Sequence, residues 1–171
     1  MASTTSQRLS SEPRPADVLV VFGITGDLAK VMTFRSLYRL EMRKLLDCPI
    51  LGVAVDDWTI DKLREHARDC IEGTGEVLDK EVFDRFAERL SYVQGDFSDA
   101  ATYGRVADAI KGKGSPVFYL EIPPFLFGTV VKGLSDAGLT KTARARNRPY
   151  RMMPTMDLPV TLILRDSRSR S

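Results

Sequence analysis

Residues 18–30, VLVVFGITGDLAK, carry an apolar strand directly into a Gly-x-x-Gly-Asp turn that opens a helix. A turn of this kind builds an anion site from backbone alone. The short hydrophobic run from Val18 to Phe22 reads as a buried strand. Gly23 permits a sharp turn that a side chain would block, and Gly26 lets backbone N–H groups approach a pyrophosphate. The helix N-terminus beyond adds unpaired N–H donors and about half a positive charge. A Gly-x-x-Gly spacing is common in loops. Standing at the end of the first strand of an α/β pattern, it points to a dinucleotide.

The following residues supply that pattern. A first helix is expected over 28–44 with Val31, Phe34, Leu37, Tyr38 and Met42 on one side, then a strand over 50–55. Helices at 59–71 and 79–90 are separated by a break at Gly73–Gly75. A short strand at 91–93 leads into GDFSD, where Ser98 is placed to cap a helix over 100–110. A strand at 117–120 and a helix from 124 to 137, closed by Gly138, complete the series. The fold class is therefore α/β, a Rossmann-like doubly wound parallel sheet. It is incomplete at its C-terminal end, because a further strand is due after Leu139 and the chain turns basic instead.

Three segments follow from composition: a disordered extension at 1–16, the α/β domain at 17–143, and a basic tail at 144–171 expected to be disordered or out of frame. The first sixteen residues lack the apolar stretch of a secretory signal. Overall, 43% apolar and 28% charged residues suffice for an ordinary core. No run approaches the roughly 20 apolar residues needed to span a bilayer, so no membrane role is expected. Cys48 and Cys70 have no metal-ligand or CxxC spacing and read as reduced thiols of a cytoplasmic protein. A net charge of +2 conceals a basic tail, with Lys141 and seven arginines against Asp157 and Asp166, on an acidic remainder.

Two blocks carry a resemblance. GITGDLAKVMTFRSLYRL at 23–40 and SPVFYLEIPPFLFGTVVKGLSDAGL at 115–139 resemble the GASGDLAKKK and FYLALPP segments of the glucose-6-phosphate dehydrogenase family, in order and at about their separation. The resemblance covers residues 17 to about 143. It implies a nicotinamide-dinucleotide domain of an oxidoreductase of the pentose phosphate pathway, with hydride passing from C1 of glucose 6-phosphate to NADP. It also implies a homo-oligomer. The family's EKPFG strand end and its RIDHYLGKE block, which supplies a histidine base, an acidic partner and a phosphate-binding lysine, have no counterpart here. No catalytic residue is therefore assigned and no metal is expected, while glucose 6-phosphate is expected as partner only of the intact enzyme.

The resemblance places Gly23, Ile24, Thr25, Gly26, Asp27 and Leu28 at the pyrophosphate. The Thr25 hydroxyl is either a phosphate donor or a helix cap, and Asp27 is a first-turn acid that suits the helix dipole. Lys30 either reaches a phosphate or is solvated; Val31 and Met32 stand where the family has two more basic residues. At the end of the second strand an acid accepts from the ribose hydroxyls, whereas an arginine pairs with a 2′-phosphate. Val55 occupies the family's arginine position, followed by Asp56. The family implies NADP, while these residues lean towards NAD or dual use. Tyr119, Leu120 and Pro123 match the block beside the nicotinamide, and one bond of Pro123-Pro124 is open to the cis form. Glu121 stands where the family has a small or apolar residue. His66 reads as a surface helix residue, and Trp58 as packing at a helix start or over the adenine.

Three functions are compatible with this reading: the cofactor part of a dehydrogenase, inactive by itself; a non-catalytic nucleotide-binding module; and an interaction protein using its tail. Nucleic acid is the weakest partner, since the arginines lack aromatic neighbours and the body is acidic. Ser167–Ser171 can be encoded so that a one-base shift of frame spells Glu-Lys-Pro-Phe, the missing motif. This motivates an out-of-frame or intervening-segment origin for the tail.

Overall fold

In the computed structural model, residues 15–140 are described, together with the backbone of strands 143–145 and 162–166. Expectations for the N-terminal extension up to residue 14 and for the rest of the tail lie outside these residues.

Four parallel strands form the centre of the molecule: β1 (Val18–Phe22), β2 (Ile50–Ala54), β3 (Leu90–Gln94) and β4 (Pro116–Leu120). They lie in the order β3-β2-β1-β4, so the strand order reverses beside β1. Alternation along the strands divides the core. Val21, Ile50 and Ala54 face a layer built from α1 (Phe34–Met42), α2 (Ile60–Gly73) and α3 (Lys80–Arg89). Val20, Phe22, Leu51 and Phe118 face α4 (Ala100–Ala109) and α5 (Phe127–Asp136). Central strands β1 and β2, buried on both faces, and helices on either side make the expected doubly wound sheet.

Local chemistry sets the helix ends. Thr59 accepts from the Lys62 N–H at 3.2 Å and Asp79 from that of Val82 at 3.0 Å. At α4 the capping residue is Asp99, which accepts from the Ala101 N–H at 2.9 Å, and not the expected Ser98. Ser98 is instead engaged by Asp96 Oδ1, which accepts from both its N–H and its hydroxyl. Gly138, at φ 72°, terminates α5 as expected.

The first helix departs most from expectation. It begins with a π-turn over Ala29–Thr33, in which the Phe34 N–H reaches back to the Ala29 carbonyl, before α1 continues regularly. The extra residue rotates the preceding positions out of phase. Phe34, Leu37 and Tyr38 are buried, but Val31 and Met32 are 62% and 54% exposed, and Met42 is also exposed. Ahead of α5, residues Pro124–Leu126 form a 3-10 turn rather than α-helix. All peptide bonds among the described residues are trans, including the Pro123-Pro124 pair. Cys48 and Cys70 are both buried free thiols, and burial pushes their pKa values upward.

Beyond β4 the sheet does not stop. β6 (Leu162–Asp166) pairs antiparallel with β4, from Val117↔Arg165 to Leu120↔Leu162, and β5 (Ala143–Ala145) pairs antiparallel with β6. The C-terminal end of the sheet, read from the sequence as incomplete, is thus flanked by an antiparallel strand.

Candidate functional site

The turn after β1 is held between the ends of two neighbouring strands. The Gly23 N–H donates to the Val53 carbonyl at 2.8 Å, and the Glu121 N–H donates to the Phe22 carbonyl at 2.9 Å. Gly23 sits at φ 85°, and a Cβ there would lie 2.3 Å from the Glu121 carbonyl oxygen. Glycine is therefore required by the approach of β4 as well as by the dihedral. The Gly26 N–H closes the turn on the Gly23 carbonyl at 2.9 Å, and the Gly26 carbonyl accepts from Lys30 at 3.1 Å. The N–H groups of Asp27, Leu28 and Ala29 therefore precede the first intrahelical donor, that of Lys30. Ile24 is fully buried, its side chain lying where a Cβ on Gly52 would come within 2.7 Å. Its contribution to a ligand is confined to backbone. Asp27 and Lys30 are exposed. The Lys30 charge bears on His66 and Cys70 of α2, where it works with burial to lower the His66 pKa.

Thr25 and Asp56 are brought together at the end of β2. The Thr25 hydroxyl donates to Asp56 Oδ2 at 2.5 Å, so it serves neither as helix cap nor as a free phosphate donor here. Asp56 is fixed through its backbone as well: its carbonyl accepts from the Tyr92 hydroxyl at 2.6 Å and from the Trp58 N–H at 2.9 Å. Burial, with the charges of Asp56 and Asp57, pushes the Tyr92 phenol up to about 12. Val55 is exposed and adds no charge. Trp58 meets His66 edge-on with ring centroids 4.9 Å apart, His66 meets Phe34, and His66 Nε2 lies 3.4 Å from Cys70 Sγ. His66 therefore belongs to a packed cluster between α1 and α2, half-buried rather than on the surface.

At the end of β4, side chains alternate between the two layers. Leu120 and Ile122 are buried on the α4/α5 side, while Tyr119 packs against the α1 side. Only the backbone of Leu120 is therefore available to a ligand. Pro123 is exposed and precedes the 3-10 turn, accepting from the Leu126 N–H at 2.9 Å. Glu121, on the α1 side, is 7% exposed and accepts from the hydroxyl of Thr33 in the π-turn. Burial pushes its carboxyl up to about 7, against a smaller lowering by Thr33. Its Oε2 is buried and has no partner.

Contacts thus join the Gly23–Gly26 turn to Asp56 after β2 and to Glu121 after β4, beside the reversal of strand order, while Lys30, Val55 and Pro123 are exposed. Sequence reasoning missed Tyr92 and Gln94, which donate to the backbone carbonyls of Asp56 and Val55, and the Thr33–Glu121 pair. Tyr92 sits in the middle of a short mixed strand, LSYVQ, and carried no other signal.

Residues 20–149 match the model of the glucose-6-phosphate dehydrogenase NAD binding domain. The chain is similar to glucose-6-phosphate 1-dehydrogenase 1 of Mycobacterium tuberculosis, 51% identical over 136 residues, covering 79% of this chain and 29% of the relative. It is similar in structure to glucose-6-phosphate 1-dehydrogenase from Mycobacterium avium, with TM-score 0.70 and 54% identity over 73% of this chain and 28% of that one. A glucose-6-phosphate dehydrogenase solved in complex with its substrate matches with TM-score 0.65 at 25% identity, covering 74% of this chain and 29% of that one. The chain spans less than a third of the length of these relatives. No helix among the described residues is long and apolar enough to cross a membrane. A match over most of the chain, joined to a glycine turn and open helix end at the strand-order reversal, makes this chain a member of the glucose-6-phosphate dehydrogenase family through its NAD-binding domain.

Proposed function

We propose that this chain is the dinucleotide-binding part of a cytoplasmic glucose-6-phosphate dehydrogenase, and that by itself it binds the cofactor without oxidising the sugar. The observation that carries the proposal is the Gly23–Leu28 turn. Three N–H groups without intrahelical partners stand at the end of a helix, at the strand-order reversal where α/β sheets take their ligands. Those donors fit a pyrophosphate, held by the backbone of the turn. Asp56 would accept from a ribose hydroxyl through the oxygen not occupied by Thr25. When bound, the nicotinamide ring accepts hydride; the base that takes the hydroxyl proton has no counterpart in this sequence.

The adenosine end leans towards NAD or dual use of NAD and NADP. A 2′-phosphate beside Asp56 and Asp57 would meet two carboxylates, with Val55 where an arginine would pair with it. Calorimetric titration of the full chain with NAD+ and NADP+, with and without glucose 6-phosphate, tests the reading. Expected are binding of NAD+ at least as tight as that of NADP+, and no reduced cofactor at 340 nm when sugar is added. Failure to bind either dinucleotide at millimolar concentration would remove the proposal. Tight binding of an unrelated nucleotide would favour a non-catalytic module.

A further inference from the structure

We propose that Glu121 makes this crevice select the oxidised, cationic form of the nicotinamide ring over the neutral reduced form. The inference rests on the dinucleotide reading above and adds to it a preference for one redox state.

The position follows from topology. Asp56 marks the end of β2, where the adenosine half of a dinucleotide belongs, and the turn after β1 takes the pyrophosphate. The other nucleoside then lies on the far side of β1, at the carboxyl end of β4, where Glu121 follows directly on Leu120. Glu121 also touches the turn itself: its N–H donates to Phe22, and its carbonyl oxygen is what forbids a Cβ on Gly23.

The chemistry follows from what surrounds the carboxyl. The first helix supplies Thr33, whose hydroxyl donates to one oxygen; the other oxygen is buried without a partner. β1 offers only the backbone of Phe22 and Gly23, and the titratable neighbour on the α1-facing side of β4 is Tyr119. Asp27 and Lys30 carry charges on the same helix but are exposed, and burial and the Thr33 hydrogen bond are what move Glu121. No cation among the described residues therefore compensates an ionised Glu121. Buried charges are ordinarily paired, so a cation lodged at the end of β4 would act through space on this buried, uncompensated carboxyl. The oxidised nicotinamide ring carries that charge and the reduced ring does not. Binding of the oxidised form drives Glu121 to release its proton to solvent, while the reduced form leaves it protonated. With a carboxyl that titrates at about 7, this exchange falls within the working pH range.

The test uses the full 171-residue chain. Dissociation constants are measured for NAD+ and NADH at pH 6 and pH 8, in wild type and Glu121→Gln. The affinity ratio of oxidised to reduced form should rise about threefold to tenfold from pH 6 to pH 8 in wild type, a tenfold change per pH unit being the ceiling for one proton. It should be pH-independent in Glu121→Gln. Calorimetry of wild type at pH 6.5, in buffers of different ionisation enthalpy, should show proton release with NAD+ and none with NADH, and needs no variant. If wild type and Glu121→Gln show the same ratio at both pH values, or if NAD+ binds without proton release, the proposal is wrong while the dinucleotide reading stands. If wild type binds neither form, both fall together.

Discussion

Gly23 answers to two demands at once, a left-handed φ of 85° and the β4 carbonyl that passes 2.3 Å from where its Cβ would stand. Alanine would meet a backbone atom rather than a yielding side chain. Gly23→Ala should therefore destabilise the fold by at least about 2 kcal/mol, read as a lower urea midpoint with an unchanged slope. Glu121 makes the opposite kind of case, a residue that costs stability. An exposed glutamate in the unfolded chain ionises near its usual 4.5, whereas in the fold it holds its proton to about 7. Between those values the unfolded chain has lost a proton that the native state keeps, so the native state becomes less favoured as pH rises. Above about 7 both states are ionised and the loss levels off. A separation of this size corresponds to a few kcal/mol at most. Wild type should lose stability relative to Glu121→Gln from pH 5 to pH 8 and match its slope above that. Parallel denaturation profiles across the whole range would show that Glu121 ionises freely in the native state.

Elements are joined by polar contacts as well as by the core. Glu41 of α1 is 2% exposed and accepts from Arg85 at 3.2 Å and Arg89 at 2.6 Å, both on α3. The Tyr38 hydroxyl, one turn earlier, accepts from the N–H of Asp79, the capping residue of α3. Glu41→Gln leaves two guanidinium groups facing one amide oxygen, and should cost about 2 kcal/mol. Hydrogen exchange should show the loss concentrated in α1 and α3, with α4 and α5 unaffected. The strands and amphipathic helices were legible because period and hydropathy alone decide them. So was the glycine turn, whose residues are contiguous. The π-turn was not, because Val31 continues the apolar spacing of Phe34 and Tyr38 and nothing local announces one extra residue in a turn. Nor was the Thr33–Glu121 contact, made across 88 positions by two residues that look unrelated in sequence. The capping error at Ser98 was a choice between adjacent residues, both able to cap; Asp96 decided it by occupying the serine.

At the scale of the whole molecule, the sheet edge beyond β4 is where the chain departs from a doubly wound design. A doubly wound sheet continues with a parallel strand through a right-handed crossover, for which α5 would be the crossover helix. What lies against β4 is instead β6, running antiparallel. A sheet edge of consecutive apolar residues, Val117 to Leu120, would otherwise present unpaired N–H and C=O groups and invite self-association. Two readings of the tail make opposite predictions. If β6 is part of the fold, removing 141–171 should lower the melting temperature by several degrees, about what 1 kcal/mol does in a domain of this size, and should produce concentration-dependent oligomers. If β6 is not part of the fold, the truncated chain should melt with the full one and stay equally dispersed. An out-of-frame or intervening origin of the tail has its own test: resequencing the coding DNA from codon 140 onward should reveal a frame that reads through Glu-Lys-Pro-Phe-Gly. The melting comparison is decisive for the protein because edge pairing contributes only when the added strand is ordered, whatever the origin of its codons.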